Sequence, residues 1–218
     1  MMIKVISFDL DGTLFKRSFA DAFWLEGVPA LYAQQHHTTI DEAKHYLFKE
    51  YDKIGDNRIE WYDPTYWFNR FELKSNWKKV LEQHRSFVEI YPDATPVLQR
   101  LSQHYSLIIS SNAKKEFIAI QLEEAGVKDC FTHVFSSTSD FHTVKKVTEF
   151  YAMICKKLKI QPKEMIHVGD HKDFDYTAPQ QYGIPSFYLD REHTSTGEDI
   201  IHDLYEFEQK LTTMKRNP

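Results

Sequence analysis

A chain of 218 residues with 27 Lys plus Arg against 32 Asp plus Glu carries a formal charge of −5, which excludes broad non-specific binding to nucleic acid or to an anionic membrane. With 42% hydrophobic and 15% aromatic residues it can bury a core, and its length suits one large domain, or a domain with an insertion, rather than a string of modules. Cys130 and Cys155 lie among apolar neighbours without metal-ligand spacing, so neither a disulfide framework nor a zinc site is expected and a reducing, cytoplasmic setting fits.

The apolar start, Met1 to Phe8, is too short and too soon interrupted by acids for a signal peptide, and no later stretch has the apolar length of a membrane-spanning helix. A soluble, unexported protein is expected. Ile3, Val5, Ile6 and Phe8 form a β-branched apolar run that stops at Asp9-Leu10-Asp11-Gly12-Thr13, the pattern of a buried strand feeding a tight loop.

From about Lys16 to about Glu89 helical periodicity persists with no apolar strand between. Thr39-Ile40-Asp41-Glu42 is a capping box, and Asp63-Pro64 sets a capping acid before a proline at the first helical position. Trp77, Val80, Leu81, His84 and Val88 make a further stripe. These segments predict a small all-helical subdomain of roughly four helices inserted after the first strand.

Beyond it, helical stripes (Ala94, Val97, Leu98, Leu101; about Lys115 to Ala125 with Gly126 as cap; Val147, Phe150, Tyr151, Ile154, Leu158) alternate with short apolar runs. Those runs are Leu107 to Ser111, His133 to Phe135, Met165 to Val168 and Ile184 to Leu189, and Leu204, Phe207, Leu211 and Met214 mark a last helix. Alternation of this kind predicts an α/β fold, a mostly parallel sheet with helices on both faces.

Two carboxylates one residue apart at a strand end, Asp9 and Asp11, repel each other unless a cation or proton intervenes. An acidic turn is the plain alternative, since Asp-Gly favours turns. A second set of acids, in Gly169-Asp170-His171-Lys172-Asp173-Phe174-Asp175, follows another strand on the same expected sheet edge. Converging carboxylates suit Mg²⁺, while Ser110-Ser111-Asn112 and Lys145 or Lys146 add hydroxyl, amide and ammonium donors, together a site for a phosphoryl group.

In these residues the chain resembles the haloacid dehalogenase superfamily, in its phosphatase branch, over essentially its whole length. Asp9-Leu10-Asp11-Gly12-Thr13 matches the first motif, Ser111-Asn112 the second, Lys145 the third, and Gly169-Asp170 with Asp175 the fourth. The proline that often follows the third-motif lysine is absent here and Lys146 stands in its place, so either lysine can fill that role.

The resemblance implies a Rossmann-like core of residues 1–15 and 90–218 with a helical cap, 16–89, hinged near Lys16 and Tyr91. It implies a Mg²⁺-dependent phosphatase acting on a small phosphorylated metabolite, with Asp9 as nucleophile and Asp11 as general acid and base. Mg²⁺ would be held by Asp9, Asp170 and the backbone carbonyl of Asp11, and phosphate by Ser111, Asn112 and Lys145. Thr13 would fix the loop, and Asp175 would reach the metal through water or orient Lys145. A 2-haloacid dehalogenase, a phosphomutase and a non-catalytic binding protein of the same fold are the alternatives. The aromatics of the cap, Trp24, Trp61, Tyr62, Tyr66, Trp67 and Trp77, are expected mainly to pack its helices together. His36 and His37 are read as an exposed loop pair, His171 as a solvated loop histidine, and Lys156, Lys157 and Lys159 as a solvated helix face.

Overall fold

Each strand foreseen from the sequence forms in the computed structural model, which describes residues 3–144 and 147–216. They are β1 (Val5–Phe8), β2 (Ser106–Ser111), β3 (Phe131–Ser136), β4 (Met165–Gly169) and β5 (Ser186–Leu189), and a two-residue β6 (Ile200–Ile201) joins them. All pair in parallel, in the order β3-β2-β1-β4-β5-β6. The order reverses at β1, whose neighbours are β2 and β4, so a crevice opens there at the strands' carboxyl ends.

Period-two alternation divides the sheet's side chains between two layers. On one face Ile6, Phe8, Leu107, Ile109, Ile166 and Val168 pack against α6 (Ala94–Leu101), α7 (Lys115–Glu124) and α11 (Leu204–Arg216). On the other, Val5, Ile108 and Met165 meet Phe150, Tyr151 and Ile154 of α9 (Thr148–Leu158) and Ala178 of α10 (Ala178–Gln181). A short α8 (Ser137–Asp140) follows β3 directly. The stripe at Ala94 and the glycine cap at Gly126, in positive φ after α7, form as read from the sequence.

Between residues 18 and 87 the regular elements are all helices. The first rod comprises α1 (Ser18–Asp21), a π-helical stretch at Ala22–Gly27 and α2 (Val28–His36), followed by α3 (Ile40–Ile54), α4 (Pro64–Arg70) and α5 (Trp77–Gln83). Both halves of the Thr39–Glu42 capping box are made, and the Asp63 side chain caps α4 by accepting from the Thr65 N–H at 3.0 Å. The stripe begun at Trp77 ends sooner than its periodicity suggests: α5 stops at Gln83, a 3₁₀ turn covers Arg85–Phe87, and Val88 is extended.

These helices gather Phe19, Phe23, Leu47, Trp67, Phe68 and Phe71 into a separate apolar cluster, to which α7 contributes Phe117 and Ile120. The chain enters and leaves this segment side by side. The Lys16 N–H donates to Glu89 O at 2.8 Å and the Tyr91 N–H to Leu14 O at 2.9 Å. Among the described residues no helix is long and apolar enough to cross a membrane.

Candidate active site

The loop after β1 turns back at once, because the N–H groups of Leu14 and Phe15 both reach Leu10 O, at 2.9 and 3.0 Å. Gly12 takes φ +89°, and a Cβ there would lie 2.1 Å from Asp170 Oδ2, so only glycine lets the β4 loop approach this closely. Gly169 serves the same end, since its Cβ would lie 2.3 Å from Asp175 Cγ. The outcome is a knot of carboxylates: one oxygen each of Asp9, Asp170 and Asp175 lies within 4.8 Å of the others. Such an oxygen-only donor set, largely buried, suits a small hard divalent cation.

Neighbouring donors fix these acids in place. The Thr13 hydroxyl lies 3.2 Å from Asp9 Oδ2 and 3.4 Å from Asp170 Oδ1, and the Arg17 guanidinium donates to Asp170 Oδ2 at 2.9 Å. Burial, with the charges of Asp9 and Asp175, raises the pKa of Asp170 despite the opposing Arg17. Asp175 is fully buried; its Oδ2 accepts from the His171 N–H at 2.9 Å and its Oδ1 from His167 Nε2 at 3.0 Å. One oxygen of Asp175, for which the sequence reading gave a contact to the metal through water or a place beside Lys145, stands in the same carboxylate group as Asp9 and Asp170.

Asp11 stands apart from that knot. Its Oδ1 is buried without a hydrogen-bond partner, and burial followed by the charge of Asp9 pushes its pKa up to about 7. The amide of Gln121, fully buried on α7, lies beside it and opposes that rise. A carboxyl poised near neutrality is suited to giving and taking protons.

Ser111 and Asn112 end β2 at the same crevice. Ser111 Oγ accepts from the Ala113 N–H at 3.1 Å, which leaves its own proton free to be donated outward. Asn112 is clamped: Oδ1 accepts from the Ser137 hydroxyl at 2.7 Å, and Nδ2 donates to the Tyr62 hydroxyl of the helical segment at 3.3 Å. Lys145 and Lys146 lie outside the described residues.

Sequence reasoning missed several participants. A buried file of polar side chains runs beneath the site on the α9 face of the sheet, from Asp175 to His167, then 2.8 Å to Ser7 Oγ and 2.8 Å on to Ser110 Oγ. Its trace in the sequence is the presence of Ser7, Ser110 and His167 within the strands. Arg191 holds the first loop from behind, donating to Thr13 O at 2.7 Å while paired with Asp93 at 3.0 Å. His171, read as a solvated loop residue, stacks on Phe174 with ring centroids 3.9 Å apart and faces a cavity, 3.8 Å from Asp56.

That cavity, of about 730 Å³, has the carboxylates as its floor and the helical segment as its roof. Trp24, Trp61, Tyr62 and Trp67 line it. These four of the six aromatics expected mainly to pack the helices together also face the cavity, Trp67 while only 1% exposed; Tyr66 and Trp77 pack in the helical cluster.

A sequence model of the haloacid dehalogenase-like hydrolases matches residues 3–183, and the chain belongs to that family. It is similar to a phosphoglycolate phosphatase of Aliivibrio fischeri, at 26% identity over 98% of each chain. It is also similar to the GMP/IMP nucleotidase YrfG of Escherichia coli, at 23% identity over 84% of this chain and 80% of that one. Among solved structures, a HAD phosphatase from Thermococcus onnurineus superposes with a TM-score of 0.85 at 24% identity, covering 96% of this chain and 98% of that one. A 2-haloacid dehalogenase from Pseudomonas syringae superposes with a TM-score of 0.68 at 22% identity, covering 98% and 100%, so the fold alone does not separate the two chemistries.

Proposed function

We propose that this hydrolase is a Mg²⁺-dependent phosphatase that cleaves a small phosphate monoester through an aspartyl-phosphate on Asp9. The observation that carries this reading is the division of labour among its carboxyls. Oxygens of Asp9, Asp170 and Asp175 converge in a donor set that suits a cation, while Asp11, two residues beyond Asp9, keeps a buried oxygen with no partner and a pKa near 7. Displacement of halide from carbon uses neither feature: halide leaves without a proton, and no phosphoryl dianion has to be neutralised. The phosphatase and nucleotidase names of the two relatives point the same way.

In this mechanism Asp9 attacks phosphorus in line, the bond to the leaving oxygen breaks, and the phosphoryl group passes to the carboxylate. Asp11 gives its proton to the departing oxygen; it then takes one from the water that cleaves the aspartyl-phosphate and releases inorganic phosphate. The Ser111 hydroxyl and the Asn112 backbone N–H hold phosphoryl oxygens, together with Lys145 or Lys146. Asp9, Asp170 and the backbone carbonyl of Asp11, with Asp175 beside them, would hold Mg²⁺, which when bound would supply neutralisation of the phosphoryl charge.

Residues 16–89 act as a lid in this reading, opening about the paired crossings at Leu14–Lys16 and Glu89–Tyr91 and shutting water out when closed. The protein works in the cytoplasm, a setting that suits its two free cysteines. A screen of phosphorylated metabolites scored for released phosphate, with Mg²⁺ or with EDTA, tests the proposal; Mg²⁺-dependent turnover that vanishes in Asp9→Asn is expected. Metal-independent halide release from a 2-haloacid, faster than any phosphate release, overturns it.

A further inference from the structure

A phosphoryl group needs only the floor of the cavity, yet the space above it extends to about 730 Å³, in the range of sites that enclose a whole organic ligand. Its upper wall is made of rings: Trp24 from the π-helical stretch, Phe48 and Tyr51 from α3, Trp61 and Tyr62 from the turn after it, and Phe117 from α7. Between these rings the charged groups are acids. Among the described residues Asp21, Asp52 and Asp56 face the cavity, whereas the two cations that line it, Arg17 and Lys114, are paired, with Asp170 at 2.9 Å and Asp63 at 3.2 Å. His171 joins the floor to the roof opposite Asp56.

Resting on the phosphatase reading, we infer that the substrate is a nucleoside monophosphate, its base against the aromatic wall and its N–H or hydroxyl groups toward the carboxylates. Rings offer a planar base stacking surface whatever its identity. Carboxylates accept from amino, ring N–H and ribose hydroxyl groups, and they repel anions. A short ester ending in its own carboxylate would leave the rings uncovered and bring like charge toward Asp52 and Asp56. A nucleoside di- or triphosphate would add negative charge to the same chamber. The wall thus selects a neutral, ring-bearing leaving alcohol and disfavours an acidic one.

The test is a set of kcat/KM values with Mg²⁺ for guanosine and adenosine monophosphate, guanosine diphosphate, phosphoglycolate, phosphocholine and acetyl phosphate. Acetyl phosphate is a ring-free, activated phosphoryl donor that reports the chemistry without the wall. One of the two nucleoside monophosphates is expected to exceed guanosine diphosphate, phosphoglycolate and phosphocholine by about tenfold or more. Trp61→Ala should lower the ratio of nucleotide to acetyl phosphate kcat/KM by about tenfold, chiefly through the nucleotide KM. Asp52→Lys should shift selectivity toward guanosine diphosphate and phosphoglycolate. Turnover of acetyl phosphate with phosphoglycolate or phosphocholine preferred to both nucleotides overturns the inference and leaves the phosphatase reading standing, as does a Trp61→Ala ratio equal to wild type. No phosphate release from any of these compounds overturns both.

Discussion

The floor and the roof of the cavity hold their side chains by different means. On the floor each of the three converging carboxylates has a directional partner: Thr13 for Asp9, Arg17 for Asp170, His167 and the His171 N–H for Asp175. Gly12 and Gly169 allow approaches that any Cβ would block. On the roof, rings meet at edges and faces, as Tyr51 does Trp67 with centroids at 4.7 Å and Trp24 does Phe117 at 6.2 Å. Such contacts are numerous, individually weak and tolerant of angle. On the proposed reading, the difference teaches that reaction type is set where partners are directional, and choice of substrate where contacts tolerate a range of angles.

Substitutions on the floor give the sharpest way to break that contrast. Asp9→Asn should reduce turnover by about 10³-fold or more, because an amide keeps the shape but is a poor phosphoryl acceptor, while the far-ultraviolet circular dichroism stays native. Asp11→Asn should slow hydrolysis of alkyl phosphates by about 10²-fold or more and that of nitrophenyl phosphate much less, since an acidic phenol departs without a donated proton. Equal losses on both substrates would remove Asp11 from the proton-transfer role.

Smaller effects test how the floor is supported. His167→Leu removes one buried hydrogen-bond partner each from Asp175 and Ser7 and should cost about 1–3 kcal/mol, read as a lower midpoint in urea or heat. A substitution of similar size on the roof, Trp61→Phe, should leave that midpoint nearly unchanged, Trp61 being only partly buried.

The acids also predict a pH effect with a definite sign. In metal-free protein Asp11 holds its proton up to about pH 7, against 3.8 in the ordinary state, and Asp170 is raised as well. Between those limits the folded state binds more protons than the unfolded chain, so stability is greatest below the lower value and falls as the pH rises through the upper one. Thermal melts in EDTA at acid and mildly alkaline pH measure this. Mg²⁺ should restore the loss, raising Tm more on the alkaline side, where the carboxylates are free of protons.

The smallest effect concerns the roof. Trp24 and Trp77 both lie nearly parallel to Phe117 of α7, at 6.2 Å and 6.4 Å, across the boundary between the helical segment and the sheet layer. If the lid opens and closes about its paired crossings, a phosphate analogue with Mg²⁺ should change the intrinsic tryptophan emission measurably. An unchanged spectrum at saturating ligand would fix the roof in place.

Much of the floor was legible because its information is local. An apolar run that ends in Asp9-Leu10-Asp11-Gly12-Thr13 is a strand and a tight loop, and a second run ending in Gly169-Asp170 sets acids at the same kind of position. Parallel pairing then brings like ends together, so Asp9, Asp11, Ser111 and Asp170 had to share an edge. The supports were not legible. His167, Ser7 and Ser110 lie on three strands and meet only through the register that places Ser7 opposite His167. Gln121 reads as a polar residue in an apolar helix until the packing of α7 sets it beside Asp11. Ile200–Ile201 is too short a strand for any periodicity to show.

The sequence by itself determined the alternation of strands and helices, the helical insertion and the chemical identity of the acids, because strand ends, caps and turns depend on neighbours a few residues away. Tertiary structure alone decided where the rings face. The π-helical stretches at Ala22–Gly27 and Lys172–Thr177 break the ordinary helical period where they carry Trp24 and Phe174 to the cavity wall. An aromatic residue buries equally well against a helix or a ligand, and its sequence position does not distinguish the two. Only the meeting of α3, α7 and the turn at Trp61 over the carboxylates made those rings one side of a chamber.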